Sequence, residues 1–464
     1  MSDRPPHHAV EQAAPEEIAR VAELLGRAPS GAFSVVVRDG AGDPVVIRNA
    51  PFLADGTPMP TRYWLVGRVA QEAVGRLESA GAIDEIEALF DPEIVAATHA
   101  RYAEERDALI DVDYEGPRPS GGVGGTRRGL KCLHAHLAWY LAGGGDPVGR
   151  YVATRLAGKI PGPVASIDCG TNSTRLLIIG PSGETLAREM TITRLGAGVD
   201  RTGHLDPEAI VRTLEVLTHY RQLLDRYGVV AARATTTSAA RDADNRVDLL
   251  DAALSVLGFP LELLSGEEEG RLSYLGATTG ILAGESAALV IDLGGGSTEF
   301  ALGERDNLTA VASLNMGCVR VSERFLRSDP PTVEELAAGR KMVADLLGEL
   351  IERTPAIVLA PLTIGVAGTI ATIATRALGL STYRGSATHK SVINYAFIRE
   401  ELALLASLTA AERRALPGIE VARADVIVGG LLIIDEVMRA LRITEITYSE
   451  TDILDGLARS LLAH

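Results

Sequence analysis

An eight-residue segment occurs twice in this chain, as Ile167-Asp168-Cys169-Gly170-Thr171-Asn172-Ser173-Thr174 and as Ile291-Asp292-Leu293-Gly294-Gly295-Gly296-Ser297-Thr298. Each copy closes an apolar run (Val164–Ile167; Ala288–Ile291) and opens another (Arg175–Ile179; Glu299–Leu302). The pattern predicts two β-hairpins with the same tight turn. One Asp-x-Gly turn between strands is an ordinary structural hairpin. Two copies that agree at isoleucine, aspartate, glycine, serine and threonine imply a duplicated unit, which excludes folds without internal symmetry in this region.

The turn composition also carries chemistry. Gly170 in the first copy and Gly294, Gly295 and Gly296 in the second are expected to adopt positive φ and to bring backbone N–H groups against a phosphate. The side chains of Asn172, Ser173 and Ser297 add donors without bulk. Asp168 and Asp292, at the strand ends, are placed to hold a magnesium ion, usually through water. Two such turns facing each other would clamp a phosphate chain.

Between the copies lies Leu263-Leu264-Ser265-Gly266-Glu267-Glu268-Glu269-Gly270-Arg271, read as a strand end, a Ser265 cap and a first helical turn with three glutamates. Acids there complement the helix dipole, but a strand that delivers them between two phosphate loops also supplies a carboxylate able to orient water. Three carboxylates beside a polyanion would repel it, so a cation is implied. Arg175 and Arg241 border small-residue turns at strand ends, where a guanidinium can grip phosphate oxygens; Arg271 and Arg320 are further basic candidates.

A chain of 464 residues calls for two or three domains. The segment 141–164 is dense in breakers, including Gly143-Gly144-Gly145, Gly158 and Pro161-Gly162-Pro163, and marks a boundary. Beyond it, strand-like and helix-like runs alternate, as an α/β domain does. The helix beginning at Asp206-Pro207 places Ile210, Leu214, Leu217 and Leu224 near one face and ends at Gly228; it reads as packing alone. The uncharged stretch 354–375 is long enough to span a bilayer, but Pro361, Gly365, Gly368 and five threonines favour a strand (Leu362–Val366), a glycine turn (Ala367-Gly368-Thr369) and a helix start. The polar start carries no signal-peptide pattern, and three distant cysteines suit a reducing cytoplasm, the expected location. A net charge of −16 argues against a nucleic-acid surface and leaves any polyanion to local arginines and a metal ion.

Residues from about Val164 to Leu461 resemble the exopolyphosphatase/guanosine pentaphosphate phosphohydrolase group of the acetate kinase–Hsp70–actin superfamily. The resemblance rests on the two loops, Thr237–Asn245, Ser265–Arg271, Gly317–Phe325, Gly365–Thr369 and Glu412–Gly418 with Arg423-Ala424-Asp425. It implies a duplicated ribonuclease H-like core over 159–284 and 285–464. It further implies Glu269 as the carboxylate that activates water, and Asp168, Asp292 and Glu299 as acids near a Mg²⁺ cofactor. Asn172, Ser173, Arg175, Arg241 and Gly294 through Ser297 are the implied phosphate ligands. Thr236 stands where the family often has glycine, and Ser449-Glu450-Thr451-Asp452 replaces its commoner Ser-Asp-Arg-Gly. The expected activity is exopolyphosphatase, with a guanosine pentaphosphate phosphohydrolase as the alternative of equal chemistry. A kinase or actin-like ATPase and a non-enzymatic polyphosphate or alarmone sensor are the competing classes. No nucleic acid or membrane partner is expected, and a homodimer is the assembly entertained.

Residues 1–158 resemble an uncharacterised, mainly actinobacterial family (DUF501-like), expected as an additional α+β domain. Its recognisable stretch runs from Gly121 to His136. There Cys132-x-His134-x-His136 is a metal candidate that needs further ligands, with Asp111, Asp113 and Asp146 as the choices. The glycine loop with Arg127, Arg128 and Lys131 is a second anion-site candidate.

Overall fold

The computed structural model describes residues 12–39, 42–156, 162–282, 287–305 and 307–462. Both expected domain boundaries, at 158/159 and 284/285, lie outside these residues, as do Gly158 and Pro161 and most of the polar start.

The N-terminal part is α+β: an antiparallel sheet of Phe33–Arg38, Pro44–Asn49 and Tyr63–Leu65 with helices packed on it. Its core gathers Val46, Ile86, Tyr102, Leu133, Leu137 and Trp139. Its last helix, Pro147–Arg155, ties it to the next sheet, Thr154 Oγ1 donating to the Ala232 carbonyl at 3.0 Å.

Two further sheets share one topology. The first orders its strands Thr185–Ile192, Ser173–Ile179, Val164–Cys169, Ala231–Thr236 and Leu261–Leu263. The second orders Asn307–Leu314, Thr298–Glu304, Ala287–Leu293, Leu362–Val366 and Glu445–Tyr448, with Val392–Asn394 added at the edge. In both, the first three strands run antiparallel to one another and the next joins in parallel. The duplication read from eight residues therefore extends to the whole sheet: this is a duplicated ribonuclease H-like α/β core with an N-terminal α+β domain.

The two halves exchange helices. Helix Gly266–Thr278 follows the last strand of the first sheet but lays Tyr274 and Ala277 against Ala288, Val290, Ala301 and Ile364 of the second. The C-terminal helix Ile453–Leu462 returns to the first sheet, packing Leu454, Ala458 and Leu461 on Val164, Leu177 and Ala231. The two helices cross at glycines: a Cβ on Gly276 would lie 1.8 Å from the Asp452 carbonyl oxygen, and one on Gly456 2.0 Å from that of Leu272.

The helix expected after Asp206 runs Pro207–Arg226, with the Asp206 side chain accepting from the Glu208 amide at 2.8 Å and Ile210, Leu217 and Leu224 buried. The segment 362–366 is the expected strand, but no glycine turn follows it. The helix starts directly at Ala367, which takes φ +72°, because the chain must reverse over the strand end without a loop. No helix among the described residues is long and apolar enough to cross a membrane. The third strand of each sheet was not anticipated. Thr185–Ile192 has no fully buried residue and mixes polar with apolar side chains, so hydropathy alone does not mark it.

Candidate active site

The two repeated loops face each other across a cleft of about 360 Å³ between the halves. In both, the glycine that follows the strand donates its N–H to the carbonyl of the serine three residues on, Gly170 to Ser173 and Gly294 to Ser297, each at 3.0 Å. The expectation of positive φ is not met: none of Gly170, Gly294, Gly295 and Gly296 is left-handed. In the second loop, glycine is required by close approach instead. A Cβ on Gly295 would sit 2.9 Å from Thr171 Cβ, and one on Gly296 would sit 2.5 Å from Ser238 Oγ and 2.9 Å from Thr171 Oγ1. The loops interlock, and only backbone fits where they meet. The second loop is held from behind by helix Cys318–Phe325, whose Cys318 and Val319 amides donate to the Gly294 and Gly295 carbonyls at 3.0 and 2.9 Å.

Helical geometry separates the three glutamates, correcting the expectation that all three enter the cleft. Glu267 is exposed, and Glu268 turns to Arg271 with two 2.8 Å bonds. Glu269 alone is buried and lines the cleft. Successive residues point about 100° apart on a helix, so a run of three cannot share one face. Arg241 Nη1 donates to Glu269 Oε2 at 2.7 Å and to the Leu264 carbonyl at 2.9 Å. Burial outweighs this arginine, and with Asp292 and Asp168 nearby it pushes the Glu269 carboxyl up to about 7.

Asp168 and Asp292 sit at matching positions of the two hairpins, but their cross-strand partners differ. Asp168 pairs in register with Arg175, whose Nη2 reaches Asp168 Oδ2 at 2.6 Å. Asp292 pairs in register with Glu299. Burial pushes Asp292 up to about 6, with Ser273, whose Oγ donates to its Oδ2, opposing. Burial and then Glu269 and Asp292 raise Glu299 well above the carboxylate range, while its Oε1 accepts from Ser313 Oγ at 2.7 Å. The unlike partners make the first hairpin self-neutralising and the second acid-rich.

Three buried polar atoms of cleft-lining residues lack any partner: Asp168 Oδ1, Asn172 Nδ2 and Ser238 Oγ. An unsatisfied buried carboxylate oxygen suits a cation, and unsatisfied donors suit an anion. The lining holds seven acidic and three basic side chains, and all three arginines there, Arg175, Arg188 and Arg423, are bonded to carboxylates. An incoming polyanion therefore needs a cation with it. Asp168 and Asp292 both line the cleft and offer hard oxygen donors, the ligand class that suits Mg²⁺.

Of the residues singled out in sequence, Gly170, Asn172, Ser173, Arg175 and Gly294 through Ser297 line the cleft together with Asp168, Glu269 and Asp292. Arg241 and Glu299 stand behind its wall, on Glu269 and Ser313. Arg320 is drawn off to Asp200 and Asp242. Asp452 was missed as a site residue: it lines the cleft and its Oδ2 accepts from Arg175 Nη1, so the departure Ser449–Asp452 contributes to the cleft wall. Glu450 lines the cleft too, and burial pushes its carboxyl up to about 7. Ser238, the residue facing Gly296, was visible only as one of a run of small residues. Thr236, the other departure, is buried and bonds Cys169 O at 2.9 Å, joining two strands.

In the N-terminal part, the metal candidate is regrouped. His136 is buried with Asp146, Nδ1 to Oδ2 at 2.7 Å, away from Cys132 and His134. Alternate positions on a helix start face different ways, so Cys-x-His-x-His does not converge. Cys132 and His134 come together instead with Glu78.

Residues 180–464 match the Ppx/GppA phosphatase family, and residues 35–154 match a protein family of unknown function, DUF501. The chain is 43% identical over 317 residues to exopolyphosphatase 2 of Mycobacterium tuberculosis, covering 64% of this chain and 98% of that protein. It is similar in structure to an exopolyphosphatase-like protein (TM-score 0.62, 32% identity, 65% of this chain and 99% of that one). It is similar also to an exopolyphosphatase from Cytophaga hutchinsonii (TM-score 0.60, 26% identity, 65% and 98%).

Proposed function

The chain belongs to the Ppx/GppA phosphatase family, and from that premise we propose that it removes terminal orthophosphate from inorganic polyphosphate with Mg²⁺ as cofactor. The observation that carries this reading is Glu269: a buried carboxyl, held by Arg241, ionising near neutrality at the wall of a cleft between two phosphate loops.

The reaction needs a water aligned with the terminal phosphorus and a group to take its proton. Glu269 Oε2 is occupied by Arg241, which leaves Oε1 to accept that proton. Asn172 Nδ2, Ser173, Ser238 Oγ, Ser297 and the Gly295 and Gly296 N–H groups would hold the phosphate oxygens. The Gly170 and Gly294 N–H groups expected to join them instead close their own turns, and Arg175 contributes only as its pairing with Asp168 and Asp452 is shared with the metal-bound substrate. Asp168 and Asp292 would hold Mg²⁺, with Glu299 supporting from the second strand; the ion supplies charge neutralisation for the phosphate chain. Residues 1–158, 159–284 and 285–464 are proposed as the three domains, with the two crossed helices exchanged between the last two.

Purified protein should release phosphate from polyphosphate only with a divalent cation, and Glu269→Gln should lower release by about 10²–10⁴-fold while Mg²⁺-dependent substrate binding persists. A Glu269→Gln variant with wild-type turnover would remove the base from the scheme. The guanosine pentaphosphate reading is the alternative, and the exposed Tyr383 in the cleft lining offers an aromatic face on which a base would stack. Competition of the two substrates at equal concentration decides between them.

A further inference from the structure

Outside the cleft, one cluster combines a thiol, an imidazole and a carboxylate. Glu78 ends helix Arg68–Ser79, while Cys132 and His134 lie at the start of helix Leu133–Leu141. A ligand atom from each of the three residues lies within 4.8 Å of the other two. His134 Nδ1 is 3.2 Å from Glu78 Oε1, and that same oxygen accepts the Leu133 amide at 2.6 Å.

The other ring nitrogen of His134 determines the chemistry. Nε2 lies 3.2 Å from the carbonyl oxygen of Gln71, two turns earlier on the helix that carries Glu78. A carbonyl only accepts, so Nε2 must carry the proton. Nδ1 faces a carboxylate oxygen and a sulfur: without metal a ring proton satisfies the contact with Glu78, and a divalent cation replacing that proton meets a ligand atom of all three residues. An imidazole whose remote N–H is fixed by a backbone carbonyl is the usual arrangement of a metal-bound histidine. The glycine loop closes one side, Gly124 taking φ +65° where a Cβ would lie 3.6 Å from Cys132 Cβ. His134 and Glu78 keep 29% and 23% of their side-chain surface, so solvent reaches the site.

We propose that Glu78, Cys132 and His134 form a zinc site in the N-terminal domain, with its fourth position open to water. Thiolate, imidazole and carboxylate together suit Zn²⁺, and three protein ligands with an exchangeable fourth position is the pattern of a reactive rather than a purely structural site. The ion would join the end of helix Arg68–Ser79 to the start of helix Leu133–Leu141, which are distant in sequence.

The full-length protein, stripped with chelator and titrated with Zn²⁺ against a chromophoric competitor, should take up one equivalent that Cys132→Ser and His134→Ala do not. Co²⁺ in its place should give a thiolate charge-transfer band that is lost in Cys132→Ser, and Zn²⁺ should slow alkylation of Cys132 many-fold. Glu78→Gln keeps an oxygen for the Leu133 amide, so it weakens the metal without uncapping the helix. Phosphate release should stay at the wild-type level in all three variants. Zinc uptake equal in wild type and Cys132→Ser, or alkylation of Cys132 unaffected by Zn²⁺, overturns the site and leaves a Cys–His pair under a helix cap.

Discussion

Arg241 holds Glu269 by a single 2.7 Å hydrogen bond and the preceding strand end by another, so one guanidinium fixes both this carboxylate and the turn that delivers it. Arg241 does not line the cleft, so its effect on turnover runs through Glu269. Arg241→Ala should lower kcat by about 10–100-fold with a smaller change in KM, and should move the acid limb of the pH profile upwards, since Arg241 is an influence that lowers the Glu269 pKa. Steady-state kinetics over pH check both; an unmoved limb would mean that the arginine does not act on the base.

The pH dependence of activity has a defined sign. Glu269 must be ionised to accept a proton, and burial holds its carboxyl at about 7. Phosphate release under saturating Mg²⁺ should therefore rise with pH through the neutral range. Glu269→Gln should lose about 10²–10⁴-fold in kcat.

Stability of the metal-free protein runs the other way. Folded-state values for Glu269 and Asp292, about 7 and about 6, lie above their ordinary 4.5 and 3.8, so their contribution is most favourable below the ordinary values and is lost as pH rises through the folded ones. Glu299→Gln removes one buried acid from this group. In chelator it should raise the Tm at pH 8 by several degrees and change it little at pH 4, a shift on the order of a few kcal/mol. Thermal denaturation at the two pH values tests this, and an equal effect at both would show that the acids do not interact.

Gly296→Ala should wedge the loops apart. The added carbon meets Ser238 Oγ and Thr171 Oγ1, at about 1–3 kcal/mol of strain, and its expected signature is a raised KM with a lowered kcat. The paired variant Gly296→Ala/Ser238→Gly should recover part of the loss, since it removes one of the two obstructing side chains.

Asp452→Asn strips Arg175 of one of its two buried carboxylates. The expected cost is about 3 kcal/mol, read by urea unfolding, together with weaker substrate binding as the guanidinium reorients. An unchanged midpoint would show that Asp168 alone suffices for Arg175.

Much of this was legible in the sequence because it is local. The hairpin strands, the Asp206 cap, the strand 362–366 and the repeated turns follow from periodicity and turn residues within a few positions of one another. The repeat also announced its own duplication, which the matching strand orders extend to both sheets. Cys-x-His-x-His shows where local reading fails. Cys132 and His134 come together, but His136 turns to Asp146 and the third member of their cluster, Glu78, comes from another helix.

Residue types and spacing determined that the chain carries two copies of one strand–turn–strand unit with a glutamate turn between them in sequence. Which glutamate enters, and what surrounds it, was decided by the exchange of helices. Helix Gly266–Thr278 leaves the first sheet to pack on the second, which sets Glu269 beside Asp292 and Glu299. The C-terminal helix returns to the first, which brings Asp452 to Arg175. Neither contact leaves a trace in local spacing, because each depends on burying an apolar face against a sheet distant in sequence. The raised pKa of Glu269 arises there as well: desolvation belongs to the packed interior, and an isolated helix turn with the same three glutamates would keep all of them in water.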